Sequence, residues 1–158
     1  MQIVPASMIE SFLTQKIPAV TFPANIEPFK NYVIEMIDLA KKTDGIGLAA
    51  IQVGIPFHFF VAYDFDEKVW RAYFNSEYCP LHDSAVTHQS EGCLSYPGKG
   101  FMVPRFNKVY MEWEEWDTTN SFVKKNKIFR AQTAQVLQHE TDHCNGITIR
   151  MLGKELKS

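Results

Sequence analysis

The stretch Ala131-Gln132-Thr133-Ala134-Gln135-Val136-Leu137-Gln138-His139-Glu140-Thr141-Asp142-His143-Cys144-Asn145 reads as a helix, and Asn145-Gly146 is the turn that ends it. Within it, His139-Glu140-Thr141-Asp142-His143 has the form HExxH. Residues four apart on a helix project from the same face, so the two imidazoles can hold one metal ion. Glu140 stands beside them, where a carboxylate can take a proton from water polarised by that metal. The competing bland reading is a pair of surface histidines on a solvated helix. It loses weight once a third ligand is found.

Working outward from this helix, the sequence turns to strand patterns. Lys108 to Trp116 alternates Val109, Met111 and Trp113 with Tyr110, Glu112 and Glu114, as a half-exposed antiparallel strand does. Asp117 to Asn120 supplies a turn, and Ser121 to Phe129 the returning strand. Phe57 to Tyr63 and Val69 to Phe74, aromatic and β-branched around Asp64 to Lys68, predict a hairpin. Farther upstream, Asn25 to Lys42 places Ile26, Phe29, Val33, Met36, Ile37 and Ala40 at helical spacing. Asn25 suits the N-cap, Pro28 the first turn and Gly45 the C-terminal end. The sum is an α+β fold: antiparallel strands packed around a central HExxH helix, with an amphipathic helix toward the N-terminus. At 158 residues, with no repeat or linker, one catalytic domain over residues 1–158 is expected.

Composition narrows the function classes. With 16 Lys+Arg against 18 Asp+Glu the net charge is -2, so no basic surface invites nucleic acid. No apolar stretch approaches the roughly 18 residues of a membrane span. Met1 to Ser11 has no basic segment followed by an apolar run, and the first arginine is Arg71, so neither a secretory nor a transit signal is read. The expectation is a cytoplasmic protein. Cys79, Cys93 and Cys144 form no CxxC pair, so reduced thiols are expected.

A catalytic metal site needs a third protein ligand and an open position. In the extended protease pattern HExxHxxGxxH, Gly146 fits but Ile149 stands at the last histidine. Only 15 residues follow His143, and Glu155 is the one acidic side chain among them, so the third ligand is sought upstream. Cys93, within Glu91-Gly92-Cys93-Leu94-Ser95, ranks first, since a thiolate is a strong ligand for a borderline-soft metal. Cys144 follows His143 directly and points about 100° away around the helix. Cys79, before Pro80, reads as a buried small hydrophobe. His58, His82 and His88 read as structural or exposed.

Three separated motifs then carry a resemblance. Gly45-Ile46-Gly47-Leu48-Ala49-Ala50-Ile51-Gln52, Glu91 to Ser95, and Gln138 to His143 resemble the GxGLAAxQ, EGCLS and QHExDH motifs of the peptide deformylases, and Val103-Pro104-Arg105 follows the second motif as it does in that family. Deformylases remove the formyl group from the N-terminal formyl-methionine of nascent proteins. The resemblance implies that Cys93, His139 and His143 are the metal ligands and Glu140 the general base. It implies that the Gln52 amide and the Leu94 backbone N–H donate to the oxyanion. Ile46, Gly47 and Gly92 would line the cleft and pair with substrate backbone as an added strand does. The implied cofactor is Fe(2+), with Zn(2+), Ni(2+) or Co(2+) able to take the same site, and the implied partners are N-formyl-methionyl peptides and nascent chains.

The chain also departs from the family. Ala131-Gln132-Thr133-Ala134 stands where the family has a Gly-Leu-Leu-Ala-like run that helps form the methionine pocket, and Cys144 replaces a leucine. Bacterial members continue into a C-terminal helix that docks on the ribosome, whereas this sequence stops at Ser158 as virus-encoded members do, leaving ribosome docking open. Two alternatives stand beside the deformylase reading. One is a metallopeptidase acting on unformylated peptides; the other is an inactive module that binds nascent chains.

Overall fold

In chain order the elements are α1 (Ala6–Leu13), α2 (Glu27–Lys42), β1 (Gly47–Ala49), a 3-10 turn (Ala50–Val53), β2 (Phe59–Asp64), β3 (Val69–Pro80), β4 (Val86–Gly92), β5 (Gly100–Phe106), β6 (Lys108–Trp116), β7 (Phe122–Arg130), α3 (Ala131–Cys144), α4 (Ile149–Leu152) and β8 (Lys154–Glu155). This computed structural model describes residues 1–21 and 25–157. A five-stranded antiparallel sheet has the order β1-β2-β3-β6-β7, and a three-stranded one the order β4-β5-β8. The α+β class expected from the sequence is the class found.

Strand β2 explains how the larger sheet carries helices on both faces. Phe59-Phe60-Val61-Ala62 is an unbroken apolar run, as a strand covered on both sides requires. Alternate residues point to opposite faces. Phe59 and Val61 join Leu48, Phe74 and the α2 residues Phe29, Val33 and Met36. Phe60 and Ala62 join Tyr73, Met111, Trp113 and the α3 residues Ala134 and Leu137. The β6 alternation holds as expected, with Val109, Met111 and Trp113 buried.

Several expectations are corrected. α1 is an element the sequence pattern does not announce, because just Ala6 and Leu13 are buried on it while Met8 and Phe12 are exposed, leaving no clear apolar stripe. β3 runs past Phe74 to Pro80 through a bulge at Asn75, whose φ is 51°. The bulge lets the Asn75 carboxamide pair with Val20 backbone, accepting from its N–H at 2.7 Å and donating to its carbonyl at 2.8 Å. Beyond it Tyr78 turns inward to the Asp142 carboxylate, so Cys79 turns outward and is exposed rather than buried. α2 is closed by Asp44 in the left-handed conformation, φ 56°, rather than by Gly45. Its N-cap is Ile26 rather than the expected Asn25, which stands one residue earlier and accepts from the Glu27 N–H at 3.1 Å.

One junction is strained by the sequence itself. The chain leaves β7 and enters α3 through Ala131, at φ 52°. A left-handed residue with a Cβ costs about 1–2 kcal/mol, and glycine returns part of that gain as entropy, about 0.5–1 kcal/mol. Ala131→Gly is therefore expected to stabilise the fold by about 0.5–1 kcal/mol, seen as a higher urea midpoint at unchanged slope. An unchanged or lower midpoint contradicts this account of the junction.

Candidate active site

From Val136 to Cys144 every side chain of α3 is buried, so the two histidines do not lie on a solvated helix face. A helix this polar survives burial because most of its polar side chains are matched, Glu140 Oε2 and His143 Nδ1 being exceptions among the described residues. Gln138 accepts from the Phe106 N–H at 3.0 Å and donates to the Phe106 carbonyl at 2.8 Å. The Thr141 and Ser76 hydroxyls lie 3.0 Å apart, and Thr133 accepts from the Phe65 N–H at 3.1 Å. The helix thereby sits in a fixed rotation, with His139 and His143 turned to the same side.

Cys93 meets them from the turn that follows β4. Its Sγ lies 3.4 Å from His143 Nε2, and the ligating atoms of Cys93, His139 and His143 all fall within 4.8 Å of one another. This donor set, one thiolate and two imidazoles, fits a borderline-soft divalent cation with a position left open. The Nδ1 of His139 is hydrogen-bonded to Glu91 at 2.9 Å, which leaves Nε2 as its free nitrogen. Glu140 Oε1 lies 3.8 Å from that Nε2, while its Oε2 is buried with no hydrogen-bond partner among the described residues. Burial pushes the Glu140 carboxyl up to about 7.

Gln52 is oriented by its own turn. Its Oε1 accepts from the Ala49 N–H at 2.9 Å, so Nε2 faces the site, 3.5 Å from Cys93 Sγ and 3.0 Å from Ser95 Oγ. The backbone N–H of Leu94 has no acceptor among the described residues. A cleft of about 610 Å³ opens over these groups; Ile46, Gly47 and Gly92 line it together with Gln52, Cys93 and Glu140, while His143 lies behind its wall. β1 and β4 are edge strands of their separate sheets, so the cleft lies between two strand edges. Gly47 has no room for a side chain, because a Cβ there would stand 2.8 Å from Glu140 Oε1. The Ile46 carbonyl accepts from the Tyr63 N–H at 2.9 Å, so part of its backbone is already committed to β2.

Behind the histidines stands a buried charge network to which the sequence reading gave no role. Arg105 Nε and Nη2 hold Glu91 at 2.7 and 2.8 Å, and Nη1 holds Asp142 at 2.7 Å. Tyr78 donates to the other Asp142 oxygen at 2.7 Å. Burial works against the charge of Glu91, but the hydrogen bonds of Arg105 and His139 win and hold its carboxyl down at about 2. Glu91 and Arg105 stand in two of the motifs, and nothing in their spacing signals that they meet. Among the departures, Thr133 faces away from the cleft, Gln132 lines it, and Cys144 is buried with its Sγ 3.9 Å from the Phe59 carbonyl. Burial, with the nearby Glu140 and Asp142 carboxylates, pushes the Cys144 thiol well up.

Metal-dependent hydrolases are the class to which such a helix and its donors point. Comparison with known proteins narrows the class. The family model described as polypeptide deformylase matches residues 4–157. A peptide deformylase of Thermotoga maritima is 33% identical over 132 residues, covering 84% of this chain and 74% of the relative. One from Leptospira biflexa is 32% identical over 128 residues, covering 75% and 69%. The crystal structure of a Thermotoga maritima peptide deformylase superposes with a TM-score of 0.79 at 28% identity, covering 96% of this chain and 95% of that one. That of PDF from the Vibrio parahaemolyticus bacteriophage VP16T gives 0.76 at 30% identity, covering 94% and 99%. The chain belongs to the polypeptide deformylase family.

The Arg105 network makes a direct prediction. Arg105→Met leaves Glu91 and Asp142 as uncompensated buried carboxylates and is expected to cost about 3–5 kcal/mol of stability. Urea denaturation of the metal-loaded protein measures it. A midpoint equal to that of the parent protein contradicts the assignment.

Proposed function

We infer that this chain removes the N-formyl group from the N-terminal formyl-methionine of newly made polypeptides, with Cys93, His139 and His143 holding the metal. The observation that carries this reading is the Gln52 amide, held by the Ala49 N–H so that its nitrogen faces the donor cluster beside the unpartnered Glu140 oxygen. A divalent cation held by these three donors would lower the pKa of a water enough for its attack on an amide at neutral pH. Fe(2+) is the cation this reading favours, and Zn(2+), Ni(2+) or Co(2+) suit the same donors.

The chain's own groups do the rest. Glu140 takes the proton of the attacking water and returns it to the nitrogen of the leaving peptide, so the carboxylate ends the cycle as it began. The formyl oxygen gains negative charge as the carbon becomes tetrahedral, and the Gln52 Nε2 and Leu94 N–H donate to it. The Gln52 amide is already oriented through its Oε1 by the Ala49 N–H, which supports this role. The peptide backbone adds as a strand between the edges of β1 and β4, close against Ile46, Gly47 and Gly92. Because newly made chains are the substrate, we place the activity in the cytoplasm. No helix among the described residues is long and apolar enough to cross a membrane.

Protein purified without oxygen and loaded with Fe(2+) is expected to release formate from formyl-Met-Ala-Ser. Glu140→Ala is expected to lower the rate by at least about 10²-fold. Normal turnover by that variant sinks the mechanism. Gln52→Leu should lower kcat by about 10²–10³-fold, as loss of one oxyanion donor does. A change in KM alone would instead make Gln52 a binding residue.

A further inference from the structure

Gln132, Gln135, Val136, His139 and Glu140 all face the cleft from α3, at the spacing of a single helical stripe. His139 and Glu140 mark its reacting end. Gln135 and Gln132 lie about 6 and 10 Å farther along the axis toward the helix N-terminus. That is the span an unbranched side chain covers. A peptide laid between the edges of β1 and β4 has α3 as its floor, so the side chain next to the formamide comes down on this stripe.

The stripe is polar where an apolar wall would suit a plain hydrocarbon. Gln135 is half-buried and Gln132 exposed at the outer end. Gln135 Nε2 donates to Glu91 Oε2 at 3.1 Å, and since a carboxylate only accepts, this bond fixes which end of the amide faces Glu91. One N–H and the carbonyl oxygen of Gln135 are left for a ligand. A sulfoxide oxygen is a strong acceptor for such an N–H, a thioether sulfur a weak one, and a methylene none.

We propose that Gln135, with Gln132 beyond it, makes this pocket select formyl peptides whose first side chain carries a hydrogen-bond acceptor near its tip: methionine, and more strongly methionine sulfoxide, over a hydrocarbon of the same length. The proposal rests on the deformylase reading. It separates a specificity role for Gln135 from a structural one. If the carboxamide merely braced Glu91, its loss would slow every substrate alike.

The test compares formate release from formyl-Met-Ala-Ser, its methionine sulfoxide form and its norleucine form by the metal-loaded protein and by Gln135→Leu and Gln132→Leu. The kcat/KM for the sulfoxide peptide is expected to exceed that for norleucine about fivefold, as one net hydrogen bond gives. The ratio should fall to about one in Gln135→Leu and part of the way in Gln132→Leu. The affinities of the three peptides for Glu140→Ala, measured by calorimetry, should follow the same order. A ratio unchanged by both substitutions overturns the proposal even if all rates drop. Formate release from none of the peptides overturns the deformylase reading, and the proposal with it.

Discussion

Between the smaller sheet and the buried helix, the Arg105 guanidinium is enclosed by the carboxylates of Glu91 and Asp142, with contacts of 2.7–2.8 Å. Glu91 in turn holds His139, and Asp142 lies next to His143 in the chain. One cation thus ties the rotation of α3 to the strands that carry Cys93 into place. Bringing three charges out of water is expensive, and a buried ion pair is seldom a net source of stability over well-packed apolar residues. Its gain here is directional. A bidentate guanidinium fixes the plane of Glu91, and Glu91 fixes the ring of the histidine in front of it.

The same constraint accounts for features that look unrelated. Tyr78 must face inward to saturate Asp142, which puts Cys79 on the surface. The bulge at Asn75 changes the register of β3 between Phe74 and Glu77, and Ser76 there meets Thr141 of the helix. Gly47 lets β1 approach Glu140 more closely than any side chain would allow. Each adjusts the larger sheet to a helix whose angle is set elsewhere. The cleft forms because the two sheets approach this helix by separate edges and do not join.

Much of this was legible in the sequence because it is local. The β6 alternation, the α2 stripe and the HExxH spacing each lie within a short window, where periodicity speaks directly. That Cys93 comes together with His139 and His143 was expected for a chemical reason, since a thiolate ranks first as a third donor beside two imidazoles. What escaped is non-local or weakly patterned. Arg105 meets Asp142 across 37 positions and Glu91 across 14, and no period connects them. α1 shows too few buried residues to stand out, and β3 extends through a bulge that breaks the alternation. The orientation of Gln135 was hidden as well, because it depends on Glu91 being held from the far side.

The central claim is that one cation is held by a sulfur and two imidazole nitrogens from a helix locked by Arg105. X-ray absorption at the metal edge of protein loaded with Zn(2+) tests it most directly. The account predicts one sulfur neighbour at about 2.3 Å and two imidazole nitrogens at about 2.0–2.1 Å, with the sulfur signal lost in Cys93→Ala. A spectrum of nitrogen and oxygen neighbours alone in the parent protein, or a sulfur signal that survives Cys93→Ala, would contradict it.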